Sequence, residues 1–71
     1  MNIDIIKNSV DLCVGRKMNF RFNGARNQIE EFKGIIVDTY PSIFIVKILE
    51  NNSIKSFSYS DVLIRKLVIK E

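Results

Sequence analysis

The run "GIIVDTYPSIFIVKIL", residues 34–49, constrains the fold more than any other part of the chain. Its Ile, Val and Phe belong in strands, yet Asp38-Thr39-Tyr40-Pro41-Ser42 interrupts them. Proline has no N–H to give to a sheet ladder and fixes φ. Pro41 is therefore misplaced in a central strand and suits position i+1 of a reversal from Tyr40 to Ile43. The run reads as two strands joined by a tight turn. In the second, "IFIVKIL", Phe44, Val46 and Ile48 alternate against Ile43, Ile45, Lys47 and Leu49, so the strand is apolar on nearly both faces. Its outer face needs cover, and the candidates are an N-terminal helix or another subunit.

The flanking segments follow from changes of period. In "NIDIIKNSVDLCVG", Ile3, Ile6, Val10 and Cys13 recur at helical spacing, Asn2 can cap the start and Gly15 suits the left-handed C′ position. From Lys17 the period falls to 2. Met18, Phe20 and Phe22 share one face of a strand, and Lys17, Asn19, Arg21 and Asn23 share the other. After the Gly24 loop, residues 28–39 resume strand character, with a slip of alternation around Gly34 that predicts a β-bulge or sharp bend there. Glu50-Asn51-Asn52-Ser53 closes a hairpin, "IKSFSYS" continues as a strand, "DVL" reads as a 3₁₀ turn and "IRKLVIK" as the last strand.

A chain of 71 residues buries only about 60% of its unfolded surface, which leaves one core and one domain, residues 1–71. The expected architecture is mostly β: a helix over about 2–14, then an SH3-like or Sm-like five-stranded, partly open barrel over about 17–70. A plain five-stranded sheet with one helix is the alternative. Phe20, Phe22, Phe44, Val46, Ile48 and Leu67 form the expected core.

Composition removes whole classes of chemistry. With no histidine and one cysteine, Cys13, the chain has no Ser-His-Asp or Cys-His arrangement, no histidine metal ligand and no CxxC pair. Adjacent Glu30 and Glu31 point to opposite sides of a strand and cannot act as an acid/base pair. Asp38 and Asp61 flank turns, where carboxylates stabilise backbone N–H groups. The expectation is a non-enzyme with no catalytic residue, cofactor or metal. A lone thiol and no secretory or membrane-spanning segment place it in the cytoplasm.

Net charge is +3, and between Arg16 and Arg26 the chain carries Arg16, Lys17, Arg21 and Arg26 with no acidic residue. On an extended strand they make a cationic stripe on the order of 30 Å long, able to follow phosphates or an acidic protein surface. The same charges also keep a strand face solvated and blunt it against edge pairing. Strand parity brings Tyr40-Pro41-Ser42 to the same end as Tyr59 and Asp61, so Tyr40, Pro41, Tyr59 and Asp61 are the candidate partner-binding residues. Tyrosines at strand ends also serve simply as ring packing with a wet hydroxyl.

"VGRKMNFRFNGARN", "GIIVDTYPSIFIVKI" and "FSYSDVL" together resemble the Veg family of small bacterial proteins over nearly the whole chain. Here Asn27 and Gln28, rather than further basic residues, follow Arg26. The resemblance implies an SH3-like barrel and a regulatory role as a biofilm-formation stimulator. The leading expectation is a module that binds a protein partner, a regulator of transcription being the class favoured. The alternative is a small basic barrel that binds nucleic acid through Lys17, Arg21 and Arg26. Homo-oligomerisation through the outer face of strand 43–49 is a further expectation.

Overall fold

The computed structural model describes residues 3–24 and 28–70. Helix α1 (Ile3–Cys13) is followed by strands β1 (Lys17–Asn23), β2 (Ile29–Thr39), β3 (Ile43–Ile48) and β4 (Ile54–Ser58), a short helix α2 (Tyr59–Leu63) and strand β5 (Leu67–Lys70). All five strands form one antiparallel sheet in the order β4-β3-β2-β1-β5. The sheet is not closed into a barrel, which corrects the expected SH3-like or Sm-like closure in favour of the plain-sheet alternative. The two edge strands do not pair: β4 is bonded to β3 alone and β5 to β1 alone, and the connection between them runs through the helical turn Tyr59–Leu63 and Arg65 at φ 61°.

Helix α1 ends as its residues dictate: Gly15 takes φ 83° and donates its N–H to the Ile36 carbonyl at 2.9 Å. Asp4 in the first turn complements the helix dipole, while the expected cap, Asn2, lies outside the described residues. Val10 is buried, and Ile6 and Cys13 pack against the same core.

One inner face holds that core. Met18, Phe20, Phe32, Ile36, Phe44, Val46, Phe57, Tyr59 and Leu67 are buried together, and the rings of Phe20 and Phe32 stack with centroids 5.3 Å apart. Phe22, expected among them, is only partly buried, its ring 5.4 Å from that of Phe57 and capped by the Lys66 ammonium at 5.9 Å. The register contradicts the first of the two expectations at Gly34, a β-bulge. Pairing with β1 runs unbroken through Met18↔Gly34, and the bulge falls between Ile36 and Asp38. Gly34 is instead a close approach: a Cβ there would stand 2.8 Å from Val46 Cγ1 and 2.9 Å from the Lys47 carbonyl oxygen. Pairing passes from β1 to β3 around this residue. The expected 3₁₀ turn at "DVL" is likewise a single turn of α-helix, capped by Ser58, whose side chain accepts from the Asp61 N–H.

Candidate functional site

The turn that interrupts the apolar run is built as its residues require. Tyr40 donates its N–H to the Ile43 carbonyl at 2.8 Å, with Pro41 and Ser42 between them. Tyr59 starts α2 directly below, is 1% exposed, and donates its hydroxyl to the Tyr40 carbonyl at 2.8 Å. The two tyrosines therefore do come together, but through one backbone oxygen and not as a pair of exposed rings. Tyr59 packs its ring on Phe44, 5.4 Å between centroids, beneath the Lys7 ammonium at 5.9 Å. It has no face left to offer a partner, and Tyr59 leaves the candidate set.

Tyr40 has the opposite setting. It is 47% exposed on the outer side of the sheet, and its hydroxyl donates to Asp38 Oδ2 at 3.0 Å. That hydrogen bond, with the carboxylate charge behind it, raises the Tyr40 phenol above its ordinary pKa of 10.0. Asp38 also accepts the Thr39 N–H at 2.9 Å. Pro41 is exposed and Asp61 half-buried at the same end.

The basic residues spread across the outer face rather than along one line. Lys17 and Arg21 point outward from β1, with Arg21 3.9 Å from Glu31. Arg16, also exposed, sits in the connector where its N–H donates to the Cys13 carbonyl at 3.0 Å. Arg26 lies outside the described residues. From Lys17 to Arg21 the strand covers about 13 Å, and two lysines missed by the linear reading widen it: Asn19 pairs with Lys33 on one side and Lys70 on the other. Only strand order could find them.

The other half of the outer face is mainly aliphatic, with Lys47, Asp38, Ser56 and Ser58 set among the apolar residues. Val37 is 45% exposed, Ile43 38% and Ile54 58%, with half-buried Ile35 and Ile45 between them. The helix expected to cover this face does not: α1 seats Val10 in the core on the opposite side of the sheet. Among the described residues no cluster of three His, Cys, Asp or Glu could hold a metal, and no helix is long and apolar enough to cross a membrane.

These features define a small open-sheet β protein whose outer sheet face is divided into a mainly aliphatic part and a mainly basic one. The chain matches, over residues 1–70, the model of the family described as biofilm formation stimulator VEG, and it belongs to that family. The two segments locked together by the Tyr59–Tyr40 bond are ones that carried the resemblance in sequence. Family membership implies stimulation of biofilm formation, a description that names no enzymatic activity. No curated protein gives a significant match.

Proposed function

We propose that this chain is a non-enzymatic regulatory module that acts by binding a protein partner, a regulator of transcription being the class favoured, at the Tyr40–Pro41 end of the sheet. The observation that carries this reading is the exposure of Tyr40 and Pro41 beside Val37 and Ile43 on the side of the sheet that neither helix covers. Contiguous apolar surface bordered by polar groups is characteristic of protein docking. Asp38 fixes the Tyr40 ring, which lowers the entropy lost when a partner settles on it. Asp61 borders the same end.

The test is capture of partners by the tagged chain from its own cells, with and without nuclease, beside Tyr40→Ala and the triple change K17Q/R21Q/R26Q. The reading expects a captured protein that survives nuclease and moderate salt, is lost with Tyr40→Ala and is retained by the triple variant. Tyr40→Phe also weakens capture if the hydroxyl is shared with the partner. Equal capture by wild type and Tyr40→Ala removes this end of the sheet from the binding role.

The nucleic-acid alternative is supported by one specific observation, the addition of Lys33 and Lys70 to Lys17 and Arg21 on the outer face. Binding there would weaken steeply with salt and fall sharply in the triple variant, which keeps only Lys33 and Lys70 of the four. No retention of the wild type on DNA or RNA at low salt eliminates it.

A further inference from the structure

We propose that the apolar half of the outer face is an isologous interface between two copies of this chain. The sequence demands cover for the outer side of β3, and α1 is committed to the other side of the sheet. What favours a second copy over an unrelated partner is the charge pattern of the face itself. In the β2–β3 register Ile35 pairs with Lys47, and Asp38 pairs with Ile45 across the bulge. These four residues form a square, with Ile35 and Ile45 on one diagonal and Lys47 and Asp38 on the other. A two-fold axis laid along the Ile35–Ile45 diagonal brings each isoleucine close to its own copy. The same rotation sets Lys47 of each chain against Asp38 of the other. The face is thus complementary to itself, as a two-fold interface requires.

The surroundings agree with this placement. Ile54 extends the row Ile35–Lys47 onto β4, and Val37, Ile43 and Tyr40 border the square on its other sides. A standard interface takes about 800 Å² from each partner, roughly a sixth of the 4896 Å² surface of the described chain. Lys17, paired with Ile35 at the rim, meets its own copy near the axis and opposes association. The dimer is therefore a weak one, to be looked for at high protein concentration.

Sedimentation equilibrium of the full chain over the micromolar to millimolar range tests this, with circular dichroism to confirm that each variant is folded. The expected result is a concentration-dependent dimer that Ile45→Lys abolishes and that K47D and D38K each weaken by about tenfold or more. The decisive arm is the mixture. Each singly changed chain repels its own copy at both crossings, whereas K47D mixed with D38K restores opposite charges at both, so a heterodimer forms where neither homodimer does. If D38K disturbs the turn through loss of the Tyr40 bond, K47D and Ile45→Lys carry the test. A wild type that stays monomeric near millimolar concentration overturns the proposal, and so does a dimer indifferent to K47D and Ile45→Lys. A monomeric wild type that loses capture of a different protein on Ile45→Lys assigns the face to that partner and overturns it as well. Tyr40 borders the same face, so the two tests are separated by readout: sedimentation of the purified chain sees only self-association, whereas the capture experiment sees a different protein.

Discussion

On the inner face of β3, Phe44 and Val46 have 0% accessible surface, while on its outer face Ile43 keeps 38% and Ile45 is half-buried. Neighbours in one strand, equally apolar, end in different environments because both helices fold over the same side. Helix α1 enters before β1, and α2 falls between β4 and β5. The tyrosines repeat the contrast. Tyr59 spends its ring and hydroxyl on the fold, whereas Tyr40 gives the fold its backbone and keeps much of its ring outside. Which apolar side chains of β3 stay exposed is therefore a property of the topology.

The strongest way to break this contrast is to exchange the fates of the two tyrosines. Tyr59→Ala removes a ring from the core and a donor from the Tyr40 carbonyl, and should destabilise by about 3–5 kcal/mol. That is a large part of the roughly 4–11 kcal/mol that a domain this size holds, so urea unfolding should show a variant near the edge of folding. Tyr40→Ala should cost only about 1 kcal/mol, in keeping with a surface position. Equal losses at the two sites would mean that Tyr40 is part of the core in solution.

Next in size is Gly34→Ala. Its methyl group would press on Val46 and on the backbone carbonyl of Lys47, and relief needs movement of the β2–β3 ladder. A loss of about 1–3 kcal/mol is expected. Unchanged stability would show an inner face looser than its contacts imply.

Pro41→Ala comes next, since the turn has no cis bond and the proline acts mainly by limiting the unfolded chain. The expected loss is about 1 kcal/mol or less, read from the same urea curves. A larger loss would make the turn a structural anchor in its own right.

The smallest effect is the titration of Tyr40. Its pKa in the folded chain is raised, first by the hydrogen bond to Asp38 and then by that carboxylate's charge. The folded state therefore holds this proton more tightly than the unfolded chain does. The stability so gained is fully present below the unfolded value of 10.0 and is lost as pH rises through the higher folded value. NMR of the Tyr40 ring should show late ionisation, and Asp38→Asn should bring it back toward the ordinary value. No change with Asp38→Asn would mean that the bond does not persist in solution.

Much of this was written in the chain. Helical spacing in Ile6, Val10 and Cys13, strict alternation in Met18–Phe22, the proline at 41 and the glycine at 15 each fixed a local conformation through sterics or periodicity, and β1 matches its expected bounds, Lys17–Asn23. The approach of the Tyr40 turn to Tyr59 also followed from strand parity. Three things needed the assembled structure. Hydropathy cannot see the side chain that Gly34 lacks, so Phe32, Gly34 and Ile36, which share the inner face without a break, looked like a slip, and the bulge at Val37 went unplaced. Closure depended on whether the edges β4 and β5 pair, a meeting of strands that no local residue pattern encodes, and they do not. Last, Lys33 and Lys70 joined Lys17 and Arg21, and the Ile35–Lys47–Asp38–Ile45 square came into being, only when strands distant in sequence were set about 5 Å apart by the ladder. Local rules act within a few residues of the chain, whereas a surface is made by residues that hydrogen bonding between strands brings together.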